Sequence, residues 1–99
     1  VHKVSGAMDV GQSVNPDTLA AQFESSVVFA MSAMKNEVTI QNGRVVQSNF
    51  HDYPMVRINE VPAFNIEIIK SDAAPGGAGE PVVPIVAPAI ANAVFAATG

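Results

Sequence analysis

Glu80 is the residue whose neighbours best equip it for chemistry. It closes the run Pro75-Gly76-Gly77-Ala78-Gly79-Glu80-Pro81, just ahead of an apolar stretch from Val82 to Ala97. Glycines open backbone angles that other residues avoid, so such a loop can bend sharply or lie against a ligand. Pro75 and Pro81 fix φ at its two ends. A carboxylate at its end can be aimed into a cavity while what lies behind it is packed. The plainer reading is a turn whose glutamate is solvated near a helix start, where its charge suits the helix dipole.

Other chemistries fit poorly. A phosphate-binding loop needs a lysine where this chain has Glu80, and the negative charge would repel phosphate. The spacing of Gly76, Gly77 and Gly79 also fails the dinucleotide fingerprint. His2 and His51 have no second metal ligand at helical or finger spacing and read as surface or hydrogen-bonded histidines. His51 adjoins Asp52, but no serine completes a base-and-orienter set. Met31 and Met34 read as core filling rather than a ligand surface. With no cysteine, the chain builds neither a disulfide nor a thiolate metal or iron–sulfur site.

The 99 residues make one domain at most. Only 14% are charged and 48% are apolar, whereas soluble domains carry about 25% charged residues. So few charges cannot cover a small domain, and part of the surface is expected to lie against other protein. A net charge of −4, with five scattered basic residues, excludes a nucleic-acid backbone as partner. No apolar run reaches about 18 residues without a proline or polar break, so no membrane span is expected. Val1 opens in what reads as a strand and Gly99 in a helix stop; both ends look cut from something longer.

The elements that must position Glu80 follow from periodicity. Val1 to Val10 reads as a strand, and Asn15-Pro16 as a helix start with a capping amide. The spacing predicts a helix over 17–34, with Leu19, Phe23, Val27, Ala30 and Met34 on one face. Glu37–Gln41 and Arg44–Gln47 flank Asn42-Gly43 as a hairpin. Residues 48–62 are irregular, and Phe64–Ile69 alternates as a half-buried strand. A second helix is expected from Pro84 or Ile85, with Pro88 in its first turn and Ile85, Ala89, Ile90, Ala93, Val94 and Ala97 on a buried face. The fold class is mixed α/β, α+β-like: a small mixed sheet with a hairpin, covered by two main helices.

Five segments keep a recognisable order: Ala7-Met8-Asp9-Val10-Gly11, Val14-Asn15-Pro16, Gln22, Ser48-Asn49-Phe50 with Tyr53-Pro54, and Gly79-Glu80-Pro81. Together they resemble the C-terminal part of the molybdopterin-binding large subunit of the molybdenum hydroxylases, the xanthine oxidase and aldehyde oxidoreductase family. Asn49–Pro54 and Ala89–Gly99 look closest to the isoquinoline 1-oxidoreductase beta-subunit type. The resemblance spans residues 1–99, as a single domain or a fragment of a larger molybdopterin-binding domain.

The resemblance implies that Glu80 is the catalytic base beside the molybdenum, and that an N-heterocycle or aldehyde is oxidised with water-derived oxygen. It also implies that Gln22 hydrogen-bonds the pterin, with Gly79 beside it in the cofactor-binding set. The cofactor is expected in its cytosine dinucleotide form in the full-length enzyme, with no stoichiometric molybdenum on this chain alone. The expected partners are the remainder of the molybdenum subunit and an iron–sulfur subunit, with self-association of the isolated chain. Relatives of this kind work in a bacterial cytoplasm or periplasm, and the sequence does not choose between them. Ser25-Ser26 and Ala30 stand where the family commonly has glycine, and side chains there would crowd the pterin. The alternative that they raise is a non-catalytic structural or interaction domain derived from the same fold.

Overall fold

The computed structural model describes residues 1–99. Its elements are β1 (Lys3–Met8), α1 (Pro16–Lys35), β2 (Ile40–Gln41), β3 (Arg44–Val45), a 3-10 turn (Ile58–Glu60), β4 (Ala63–Ile68) and α2 (Val83–Thr98). β1 and β4 pair in parallel, with Val4 opposite Phe64, Gly6 opposite Ile66 and Met8 opposite Ile68. These alternate positions turn inward, while Ser5, Ala7, Asn65 and Glu67 face outward, as the period of two requires.

α1 begins where Asn15 caps it, its side-chain oxygen accepting from the Thr18 amide at 3.1 Å. Pro16 needs no donor there, and Asp17 complements the helix dipole. The helix buries Phe23, Ser26, Val27, Ala30, Met31 and Ser32. Met31 belongs to the core as expected, but Met34 is 45% exposed. It lies on the apolar side of the helix, beside Ile90 and Val61 in a shallow groove that no element of this chain covers. The core also takes in Met8 and Val10 from the sheet side and Val82 and Val86 from the start of α2.

The hairpin forms as predicted, with shorter strands. Asn42 and Gly43 both take positive φ, at 50° and 74°, the geometry that a two-residue turn between twisted strands demands. It does not join β1 and β4, so the chain holds two separate two-stranded sheets rather than one mixed sheet. Pro88 also differs from expectation. It lies inside α2, a turn beyond Pro84, and removes an interior donor rather than a first-turn one.

Much of the apolar surface has no cover. Of the face predicted to be buried on α2, Ile85 and Val94 are exposed and Ile90 is half-buried, while Phe95 nearby is 72% exposed. The radius of gyration is 16.1 Å, against about 13 Å for a compact domain of this length. Parallel sheets are almost always covered on both faces, yet here one face of a two-stranded parallel pair is open.

Gly6 interlocks the sheet and α1, since a Cβ there would fall on the ring of Phe23. Gly6→Ala is expected to cost about 1–3 kcal/mol in a denaturant titration. Trimming the ring with Phe23→Leu should remove most of that loss. Equal losses in both backgrounds would show that the ring is not the obstacle.

Candidate functional site

The glycine loop is held against the end of β1 before it reaches α1. Past the paired strands, the Ile69 amide donates to the Met8 carbonyl at 2.9 Å, the Gly76 amide to Val10 at 2.8 Å, and the Gln12 amide to Ala73 at 3.0 Å. Gly11 makes this approach possible. It has φ of +74°, and any side chain on it would strike the Ala73 and Ala74 carbonyls. Asp9 fixes the turn by accepting the Gly11 amide at 3.0 Å.

The loop then crosses to α1. A Cβ on Gly79 would lie 3.3 Å from Oε1 of Gln22, which sets the end of that flexible amide beside the loop. The Gly79 carbonyl accepts from Ser26 Oγ at 2.6 Å. Glu80 follows, its carbonyl accepting from the Val83 amide as α2 starts, and Val82 is buried at 4% exposure. Gln22, Gly79 and Glu80 are thus gathered at one place. The sequence reading gave the three loop glycines a conformational role. In the structure none of Gly76, Gly77 and Gly79 has positive φ, and only Gly79 has a tight neighbour, the movable end of Gln22.

Glu80 is exposed and forms no ion pair within the chain. Its carboxylate is presented rather than enclosed. Gln22 is likewise exposed, and its side-chain amide makes no hydrogen bond within the chain. An exposed amide without a partner in the chain, set beside Gly79, offers both the donor and the acceptor that the edge of a pterin would need.

Ser26 escaped the sequence reading as a contributor. The signal was available: a hydroxyl on the helix face that also carries Phe23, Val27 and Ala30 must find a partner. Ser26 and Ala30 are both buried in the body of the domain, whereas Ser25 is exposed.

Asp52, which the sequence sets beside His51, is structural, as are several polar residues that no motif marks. The Asp52 carboxylate accepts the Ser48 and Asn49 amides at 2.8 and 2.9 Å and the Ser48 hydroxyl at 3.1 Å. His51 lies 3.6 Å away, so Asp52 orders a loop and does not orient His51 toward a nucleophile. Ser32 and Asn36 tie the next segment to α1, Ser32 Oγ accepting the Val56 amide and Asn36 donating to the Pro54 carbonyl. Glu60 caps the 3-10 turn through the Arg57 amide and pairs with Lys35. No three His, Cys, Asp or Glu side chains cluster as a metal site.

A mixed α/β unit with a parallel strand pair, two helices and a carboxylate-bearing glycine loop defines the class. A family model for the molybdopterin cofactor-binding domain matches residues 1–62. The chain is 37% identical over its whole length to isoquinoline 1-oxidoreductase subunit beta from Brevundimonas diminuta, and covers 13% of that protein. It is 39% identical over 98% of its length to the membrane-bound aldehyde dehydrogenase [pyrroloquinoline-quinone] from Gluconacetobacter polyoxogenes, again covering 13%. Among solved structures, a Cu,Mo-CO dehydrogenase superposes on 91% of the chain with a TM-score of 0.76 at 23% identity, over 12% of its own length. Quinoline 2-oxidoreductase from Pseudomonas putida 86 gives 0.71 at 20% identity over 84% of this chain and 12% of its own. The chain belongs to the molybdopterin cofactor-binding domain family of the molybdenum hydroxylases. It spans about an eighth of the length of these relatives.

The Asn49 and Ser48 amides hold the Asp52 pKa below its ordinary 3.8. A lowered folded value means that its hold on the loop is complete above pH 3.8 and is lost as pH falls below that through the folded value. Hydrogen exchange should show the Ser48 and Asn49 amides protected at neutral pH and released only in that acid range, and released at every pH in Asp52→Ala. Equal protection in the variant would remove Asp52 from this role.

Proposed function

We propose that this chain is the part of a molybdenum-dependent hydroxylase large subunit that carries the catalytic base, Glu80, and one wall of the pterin site. The observation that carries this reading is the meeting of Gln22 with Gly79, one residue before Glu80, on a loop joined to both β1 and α1. Gln22 would hold the pterin through its free amide, and Gly79 would leave room for it. The cytosine dinucleotide form of the cofactor is part of the proposal. When bound, the cofactor supplies the two-electron oxidation that protein side chains cannot.

The contribution of this chain is proton management and placement. Glu80 accepts the proton released as water-derived oxygen is added to an electron-poor carbon of an N-heterocycle or an aldehyde. Its carboxylate has no competing cation within the chain, so it is free to take that proton. The core behind it, through Val82 and Val86, anchors the chain just after the carboxylate. Enclosure must come from elsewhere, because this chain leaves Glu80 open.

The uncovered face of α2 agrees with that division of labour. A groove of about 610 Å³, walled by Val1, Val4, Phe23, Val86, Ile90 and Val94, runs between β1 and α2. The remainder of the large subunit is its proposed occupant, and electrons leave through an iron–sulfur subunit. The isolated chain is inactive in this reading, since a base without its enclosing walls works in bulk water. Of the residues that suggested functional drift, Ser26 and Ala30 point into the body of this domain and Ser25 is exposed; the burial of two of the three favours the catalytic reading over an interaction domain.

In the assembled enzyme, Glu80→Gln should lower kcat by about 10²–10⁴-fold while metal analysis finds molybdenum unchanged. Turnover within tenfold of the parent would remove Glu80 from the role of base.

A further inference from the structure

Ser26 lies on the inward face of α1 and bonds outside its own helix. It is 3% exposed, and its Oγ lies 2.6 Å from the Gly79 carbonyl oxygen and 2.8 Å from that of Gln22. A hydroxyl carries one hydrogen, so the two carbonyls share it, with the closer approach to Gly79. The Gln22 contact is the ordinary back-bond of a serine to its own helix. The Gly79 contact joins residues 53 positions apart.

Its location gives that contact its weight. The previous polar tie of the loop is the Gly76 amide to Val10, and the next fixed point is buried Val82. Between them, Gly77–Gly79 make one hydrogen bond to the rest of the chain, and Ser26 supplies it. Gly77 has nothing near its Cα face and Gly76 only an ordinary contact; Ala78, between them and Gly79, is half-buried on the core, so the Ser26 bond is the one polar tie in a segment otherwise held by that single methyl. Without the hydroxyl, the Gly79 carbonyl would lose its partner and would turn toward water to regain one. The Gly79–Glu80 peptide would turn with it.

We infer that Ser26 is a positioning residue: by donating to the Gly79 carbonyl it sets the direction in which Glu80 leaves the loop and holds the loop against Gln22. This rests on the reading of Glu80 as base. Ser26 does not touch the reacting atoms, and its effect is transmitted through one peptide unit.

The test uses the full-length, cofactor-loaded enzyme with Ser26→Ala and Ser26→Thr, and Glu80→Gln in parallel. Ser26→Ala should leave molybdenum content and KM within about threefold of the parent and lower kcat by about ten- to a hundredfold, the range expected for a misplaced catalytic group. Hydrogen exchange in the peptide covering 77–82 should quicken in Ser26→Ala, and Ser26→Thr, which keeps the hydroxyl, should restore both readings. Parent-like turnover and exchange in Ser26→Ala would overturn the inference. So would a Ser26→Thr enzyme as impaired as Ser26→Ala, or failure of both variants to load, since the hydroxyl would then not be what matters. If Glu80→Gln stays active, the base assignment fails separately. Exchange alone then decides the clamp: faster exchange in Ser26→Ala upholds it, and unchanged exchange overturns it.

Discussion

The ring of Phe23 seats over Gly6, and the same turn of helix carries Gln22 on one side and Ser26 a turn further on. That contact fixes how α1 lies on the β1–β4 pair. Once α1 is fixed, the buried Ser26 hydroxyl and the root of the Gln22 side chain are fixed too, and the glycine loop rests against them. Core packing and site geometry are therefore one constraint. A change that rotates α1 to relieve the core would also move the surface on which the loop rests.

The remaining architecture is that of a unit meant to be covered. A two-stranded parallel sheet, an α2 whose second half projects past the core, and a hairpin that exposes Ile40 and Val45 each lack a partner within the chain. Burial of apolar surface, at about 25 cal/mol per Å², is the main stabilising term available to a domain, and here much of it is unused. In the proposed reading the low share of charged residues has the same origin: surfaces that meet protein do not need solvating. No helix is long and apolar enough to cross a membrane.

Local signals in the sequence were strong where backbone chemistry dictates structure. Asn15-Pro16 started α1, Asn42-Gly43 made the turn, and alternation in Phe64–Ile68 gave the inward face of β4. What the sequence could not show was set by long-range contact. Met34 has the spacing of a core residue but no element above it, and the face of α2 was read as buried when only its first turns are covered. The pairing of β1 with β4, rather than with the hairpin, depends on strands about 60 positions apart in sequence, beyond any local pattern. Gln22, Gly79 and Glu80 were candidates through resemblance alone, and that they lie near one another is a feature of the fold that no local pattern carries. Ser26 read as an intrusion because a glycine was expected, and its hydroxyl turned out to be directed at the loop.

The central claim is that this chain places Glu80 in an active site that other protein completes. An experimental structure of the whole cofactor-loaded subunit tests it most directly. The account predicts the Gln22 amide in hydrogen-bond contact with the pterin and the Glu80 carboxylate enclosed beside the metal, with the α2 groove filled by the remainder of the subunit. A structure with Glu80 facing bulk solvent and Gln22 remote from the cofactor would contradict it.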